Sequence, residues 1–169
     1  VVSGNPARIV GYTGTKQLLE PGPVKEPKLV ASEVTGVRLI KLNHVPDMRG
    51  HLCATEFAKD LPFVPKRAFF VYSVPDAKVR GEHAHKKCEQ FLICLNGSIS
   101  VIADDGSQRE EFELSTPEVG VYLPAGTWGT QYKHSKDTIL LVFASLEYDP
   151  DDYIREYRSE EHTSELQSP

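Results

Sequence analysis

His83 and His85 stand two apart in the run Arg80-Gly81-Glu82-His83-Ala84-His85-Lys86-Lys87-Cys88-Glu89-Gln90. On an extended strand both imidazoles project from one face. An unperturbed imidazole titrates at about 6.5, so near neutrality it can take a proton and return it. Arg80 adds a fixed positive charge that could stabilise a developing oxyanion or hold a phosphate. Such a set suits abstraction of a proton α to a carbonyl, followed by reprotonation at the neighbouring carbon.

Two other uses of the pair compete with this one. As packed core residues, two histidines beside Arg80 and Gln90 would require several buried polar groups to be satisfied at once, which is costly. As metal ligands they need company, because a catalytic ion usually has three protein ligands. In metal-binding cupins the His-x-His pattern is completed by a nearby glutamate and by a third histidine after a Pro-x-Gly turn. Here Gln90 takes the carboxylate place, with Glu89 beside it. In Pro124-Ala125-Gly126-Thr127-Trp128-Gly129 a glycine stands where the third histidine is expected, and His134 lies too far along to replace it. The reading is therefore proton transfer without a metal.

A scaffold of short strands must hold these side chains. Val37–Leu42, Leu52–Phe57, Arg67–Val74, Ser98–Ile102, Arg109–Leu114 and Gly120–Leu123 read as strands, separated by Gly, Asp and Pro turns. Asn96-Gly97 is a strong two-residue hairpin signal after the apolar run Phe91–Leu95. Thr138–Ala144 is continuously apolar, as in a strand buried on both faces. Many short strands at regular spacing predict an all-β sandwich or double-sheet barrel. Asp149 as N-cap, Pro150 at the first helical position and the acidic Asp151 and Asp152 predict one short C-terminal helix.

The chain has 169 residues, enough for one well-buried domain. A net charge of -5 argues against binding nucleic acid through phosphates. No apolar run is long enough for a membrane span. Cys53, Cys88 and Cys94 are odd in number and lack metal-type or CxxC spacing, so they read as reduced, packed thiols. A cytoplasmic location is the default.

The ends read differently from the middle. Gly4-Asn5-Pro6-Ala7-Arg8-Ile9-Val10 resembles the closing segment of left-handed β-helix, hexapeptide-repeat acyltransferases, so residues 1–12 are expected to be a remnant of such a domain. Residues 13–35, with Pro21-Gly22-Pro23 and Pro27, have linker chemistry. The catalytic domain is expected at 36–157. Residues 158–169, which include His162, resemble the in-frame translation of a sequencing adapter and are expected to carry no chemistry.

From about Val37 to Tyr157 the chain resembles the WxcM-like cupins, sugar-nucleotide 3,4-ketoisomerases acting on dTDP-4-keto-6-deoxyglucose. The resemblance rests on Arg80-Gly81-x-His83-Ala84-His85-Lys86-Lys87 with Gln90, on Leu92–Ser98, on Val119–Tyr122 with Trp128, and on Leu140–Ser145. It closes with Glu147-Tyr148-Asp149-x-x-Asp152-Tyr153-Ile154-Arg155-x-Tyr157. It implies a cupin double-stranded β-helix and a homodimer without metal or organic cofactor. It also implies a dTDP-linked keto-deoxysugar as substrate, on the way to a 3-amino-3,6-dideoxysugar for surface polysaccharide. Some family members are fused to an acyltransferase, which accords with residues 1–12.

Within that resemblance His83 and His85 take the places of the two essential histidines, leaving open which moves which proton. Arg80 would hold the pyrophosphate or polarise the keto oxygen, and Gln90, Tyr122, Trp128 and Arg49 would line the pocket. Lys66-Arg67-Ala68-Phe69-Phe70 stands where members often carry a tyrosine pair, so a hydroxyl role would pass to Tyr72. Two alternatives are a related cupin epimerase that leaves the ketone at C4, and a non-catalytic sugar-nucleotide-binding cupin serving a fused acetyltransferase.

Overall fold

A computed structural model describes residues 2–3, 6, 8–9, 29–47, 50–75 and 77–157. Arg49, most of the linker and residues 158–169 lie outside the described residues. Near the start, β1 (Val2–Ser3) and β2 (Arg8–Ile9) pair antiparallel. The rest is an antiparallel β architecture of two facing sheets.

The larger sheet has six strands, in the spatial order β3 (Leu29–Ala31), β4 (Arg38–Lys41), β12 (Val119–Leu123), β9 (Gln90–Asn96), β14 (Ile139–Ala144) and β7 (Arg67–Tyr72). The smaller has five: β11 (Arg109–Leu114), β10 (Ile99–Asp104), β13 (Trp128–Tyr132), β8 (Arg80–His85) and β15 (Tyr153–Ile154). A hairpin of β5 (Asn43–Asp47) and β6 (Gly50–Ala54) stands apart and leads into α1 (Phe57–Asp60). No helix among the described residues is long and apolar enough to cross a membrane.

Side-chain alternation builds the core between the sheets. Leu92, Cys94, Val121, Leu140 and Val142 come from one sheet, and Ile99, Val101, Phe112 and Leu114 from the other; all are buried. The outer face of the six-stranded sheet carries a second cluster, in which Ile40, Phe91, Ile93 and Tyr122 pack under Leu61 and Phe63. In β14 the core face, Leu140, Val142 and Ala144, is fully buried, whereas Leu141 and Phe143 are half-buried and Ile139 is exposed. The expected burial on both faces is therefore complete on one face only.

Two local expectations take a different form. The Asn96-Gly97 turn does not close a hairpin, since β9 pairs with β12 and β14 while β10 pairs with β11 and β13. Gly97, at φ 73°, instead carries the chain from one sheet to the other. The Asn96 side-chain amide anchors this crossing by donating to the Asp137 backbone carbonyl at 2.9 Å. The C-terminal helix is a single 3-10 turn, Pro150–Asp152, capped by the Asp149 carboxylate accepting from the Asp151 N–H at 2.9 Å. It stops there because the Asp152 carbonyl is taken by the Lys86 N–H and the chain goes on to pair as β15 against His85 and Ala84.

Candidate active site

The site grows from an irregularity in β8. Gly81 and Glu82 both have positive φ, 79° and 52°, and the register against β13 slips so that His83 faces Gly129 while Gly81 faces Thr130. Glu82 is thus the extra residue of a β-bulge. A Cβ at Gly81 would lie 2.6 Å from the Gly129 carbonyl oxygen, so this close approach requires glycine. Beyond the bulge Arg80 pairs with Gln131, a residue that shares the cavity of the two histidines. Strict alternation would have put Arg80 on the opposite face; the bulge sets it instead opposite Gln131.

The two histidines are held in unlike states. His83 Nδ1 donates to the carbonyl two residues back, Gly81 O, at 2.8 Å, which leaves the lone pair on Nε2. His85 is buried, and its Nδ1 donates to Asp152 Oδ2 at 3.0 Å. The Gln90 amide donates to His85 Nε2 at 3.1 Å, so both ring nitrogens of His85 are engaged. Burial pushes the His85 pKa below its ordinary value, aided by the nearby His83 ring and the Arg67 charge and opposed by Asp152. Asp152 is itself fixed by the backbone N–H groups of Lys87 at 2.8 Å and Cys88 at 3.2 Å.

Rings complete the setting. The two imidazoles meet edge to face at 5.0 Å, and Tyr153 packs on both, 4.9 Å from His83 and 4.4 Å from His85. Arg67 stacks on Phe69 at 5.2 Å and Tyr148 at 5.5 Å, with its Nε buried and without a hydrogen-bond partner. The enclosed space between His83, His85, Cys88, Gln90, Gly129 and Gln131 is about 10 Å³, room for about one water.

Of the residues singled out in the sequence, His83, His85 and Gln90 come together, with Arg80 at the edge. Three others lie elsewhere. Trp128 is on the opposite face of β13 from Gly129 and Gln131; it meets Tyr157 at 5.2 Å beside a separate hollow of about 430 Å³. Tyr122 points to the outer face of the six-stranded sheet, where its hydroxyl donates to the Glu89 carboxylate. Burial, then that carboxylate, raises the Tyr122 pKa, so it stays protonated. Tyr72 ends the edge strand β7 and is 66% exposed. In each case period-two alternation decides the face, and the neighbours of these residues take the inner one.

Asp152 and Tyr153 touch His85 directly, and Arg67, stacked on Tyr148, acts on it through its charge; no local sequence pattern points to these roles. Asp152 and Tyr153 lie in the recognised closing motif, where Asp152 was assigned only to a helix start. The cupin ligand set is not assembled, because Gly129 faces His83 and Gln90 occupies the carboxylate place. A different trio that could hold a cation is present: His85, Cys88 and Asp152. Chemically the site offers one imidazole with an available acceptor nitrogen, one neutral imidazole backed by a carboxylate, and two arginines, all fitted to move protons on a carbonyl substrate.

The family described as "FdtA: WxcM-like, C-terminal" matches residues 35–164. The chain is 42% identical over 120 residues to the TDP-4-oxo-6-deoxy-alpha-D-glucose-3,4-oxoisomerase of Aneurinibacillus thermoaerophilus, covering 71% of this chain and 86% of the relative. It is similar to the 3,4-ketoisomerase QdtA of Thermoanaerobacterium thermosaccharolyticum, solved as a histidine-to-asparagine variant with TDP-4-keto-6-deoxyglucose. That match has a TM-score of 0.72 at 36% identity, over 78% of this chain and 94% of the other. The TDP-quinovose 3,4-ketoisomerase WlaRB of Campylobacter jejuni gives a TM-score of 0.71 at 36% identity, over 73% and 95%.

Proposed function

We propose, from the premise that this chain belongs to the WxcM-like family of FdtA, that it isomerises a TDP-linked 4-keto-6-deoxyglucose to the 3-keto sugar. The observation that carries the mechanism is the unequal state of the two histidines. His83, with its Nδ1–H given to Gly81 O, presents Nε2 as the base for the C3 proton. Loss of that proton gives an enediolate across C3 and C4. The proton on His83 exchanges with solvent, and His83 then delivers one at C4.

A second proton must pass from the C3 oxygen to the C4 oxygen. His85 Nε2 is the relay: the substrate hydroxyl replaces the Gln90 amide there, and Asp152 balances the transient imidazolium charge. A depressed pKa suits a relay, because a proton accepted by His85 is quickly given up. Arg80 and Arg67 supply positive charge for the enediolate or the diphosphate.

Incubation with TDP-4-keto-6-deoxyglucose in deuterated water tests the reading. The expected result is ketone migration to C3 with solvent deuterium at C4. Deuterium without migration supports an epimerase, and neither change supports a binding module.

Assembly as a homodimer is part of the proposal. Its support is the apolar edge of the six-stranded sheet, where Phe70 is 57% and Tyr72 66% exposed near the exposed Ile139. Light scattering should give twice the chain mass, and Phe70→Lys should reduce it to one. The acyltransferase-like character of residues 1–12 supports fusion to an acyl-transferring partner domain, which the reading frame of the parent gene tests.

A further inference from the structure

The cysteine spacing gives no metal signal, yet the fold assembles a mixed ligand set around His85. Its imidazole, the Cys88 thiol and the Asp152 carboxylate each bring one ligating atom within 4.8 Å of the other two, and all three residues are buried. We propose that His85, Cys88 and Asp152 form a capture site for a thiophilic divalent cation of the zinc class, and that its occupancy inhibits the enzyme. Capture stands on the geometry alone; inhibition rests on the isomerase reading.

Zinc binds nitrogen and oxygen at about 2.0–2.2 Å and thiolate at about 2.3 Å, so tetrahedral ligand atoms lie roughly 3.3–3.7 Å apart. His85 Nδ1 and Asp152 Oδ2 are already 3.0 Å apart. Asp152 is held in place by two backbone N–H groups. The thiol is the adjustable member, with only long contacts to the Glu89 carbonyl at 3.5 Å and the Ser145 hydroxyl at 3.9 Å. The cavity touching His85 and Cys88 has room for about one water, which supplies the fourth position. One carboxylate and one thiolate neutralise the dication, which a buried site requires.

Protons balance across capture. The cation forms bonds to His85 Nδ1, an Asp152 oxygen and Cys88 Sγ. The S–H bond breaks and its proton leaves to solvent. The imidazole stays neutral by moving its proton from Nδ1 to Nε2, and Gln90 turns its amide oxygen to accept it. One proton is released in all, so capture strengthens as pH rises. His85 Nε2 then carries a proton and cannot relay one.

The test uses the full chain stripped with a chelator, then titrated with CoCl₂ for spectroscopy and ZnCl₂ for turnover. One equivalent of cobalt should give a near-ultraviolet thiolate charge-transfer band, turnover should fall in step with zinc occupancy, and EDTA should reverse both. Cys88→Ser, and Cys88→Ala as a second variant, should weaken cobalt binding by well over roughly 100-fold and abolish the band, more than the roughly 10–100-fold that loss of an outer-shell partner costs. Cys53→Ser should keep the band. A band that survives in both Cys88 variants, follows Cys53 instead, or is absent at one equivalent overturns capture. Stoichiometric capture with unchanged turnover overturns inhibition. Absence of turnover in the metal-free enzyme strikes the isomerase reading instead and leaves the cobalt titration to decide the site.

Discussion

Asp152 Oδ2 lies 3.0 Å from His85 Nδ1, a buried contact between groups 67 residues apart in the chain. The carboxylate fixes the His85 tautomer and opposes the effect of burial on its charge. It does so from the 3-10 turn, which is locked to β8 by the bond from the Lys86 N–H to the Asp152 carbonyl. Asp152→Asn keeps the shape but lets an amide N–H face Nδ1, which favours the other tautomer. By analogy with a triad whose orienting carboxylate is changed to an amide, turnover should fall by about 10²–10⁴-fold. KM should change little, and nitrogen NMR of the imidazole should report the tautomer change. Normal turnover with an unchanged tautomer would show that Asp152 is structural only.

The two histidines should fail in different ways. His83→Asn removes the proposed base, so both turnover and exchange of the C3 proton with solvent should fall by about 10²-fold or more. His85→Asn should cost turnover to a similar extent while leaving C3 exchange measurable, because only the oxygen-to-oxygen relay is lost. Deuterium incorporation followed by NMR separates the two. Near-normal turnover in both variants would refute the acid–base assignment.

How far this was legible in the sequence depends on the range of the contact. His83, His85 and Gln90 were readable because strand periodicity and short spacing put them together. Trp128 and Tyr122 were placed in the pocket by motif membership, and one residue of register sends each to the other side of its sheet. The Glu82 bulge could not be anticipated, since it depends on the approach of Gly81 to the Gly129 backbone. Asn96-Gly97 reads as a hairpin in the sequence, yet the chain crosses between sheets there, because which strands pair is a tertiary matter. Asp152 and Arg67 escaped because their roles arise from contacts with distant strands, where no local pattern points to His85.

Gln90 sets which protonation state of His85 the site prefers. Its amide donates to Nε2 in the neutral ring, so Gln90→Glu should place a carboxylate there and favour the imidazolium. The His85 pKa would rise, and the acid limb of the pH–rate profile would move to higher pH. Gln90→Leu removes the hydrogen bond without adding charge and should leave that limb in place or lower it. An acid limb that falls in Gln90→Glu, or rises in Gln90→Leu, would contradict the arrangement.

His134 offers a stability test away from the chemistry. It is 2% exposed, and neither ring nitrogen has a hydrogen-bond partner. Burial lowers its pKa below the model-compound value of 6.5, and the Arg80 charge lowers it further. Between that lowered value and 6.5 the unfolded chain therefore binds more protons than the folded one, as it also does at His85, whose pKa is depressed too. Stability should be undiminished above about 6.5 and should decline as pH falls below it. His134→Phe removes an unpaired buried polar ring and fills similar space, so it should stabilise the protein by about 1 kcal/mol at neutral pH. In a domain of this size that is a rise of roughly 2–4 °C in Tm. The variant should also lose part of the acid decline, leaving the share due to His85. Thermal melts between pH 5 and 8 check both; a lower Tm with an unchanged pH slope would mean that His134 is satisfied in solution.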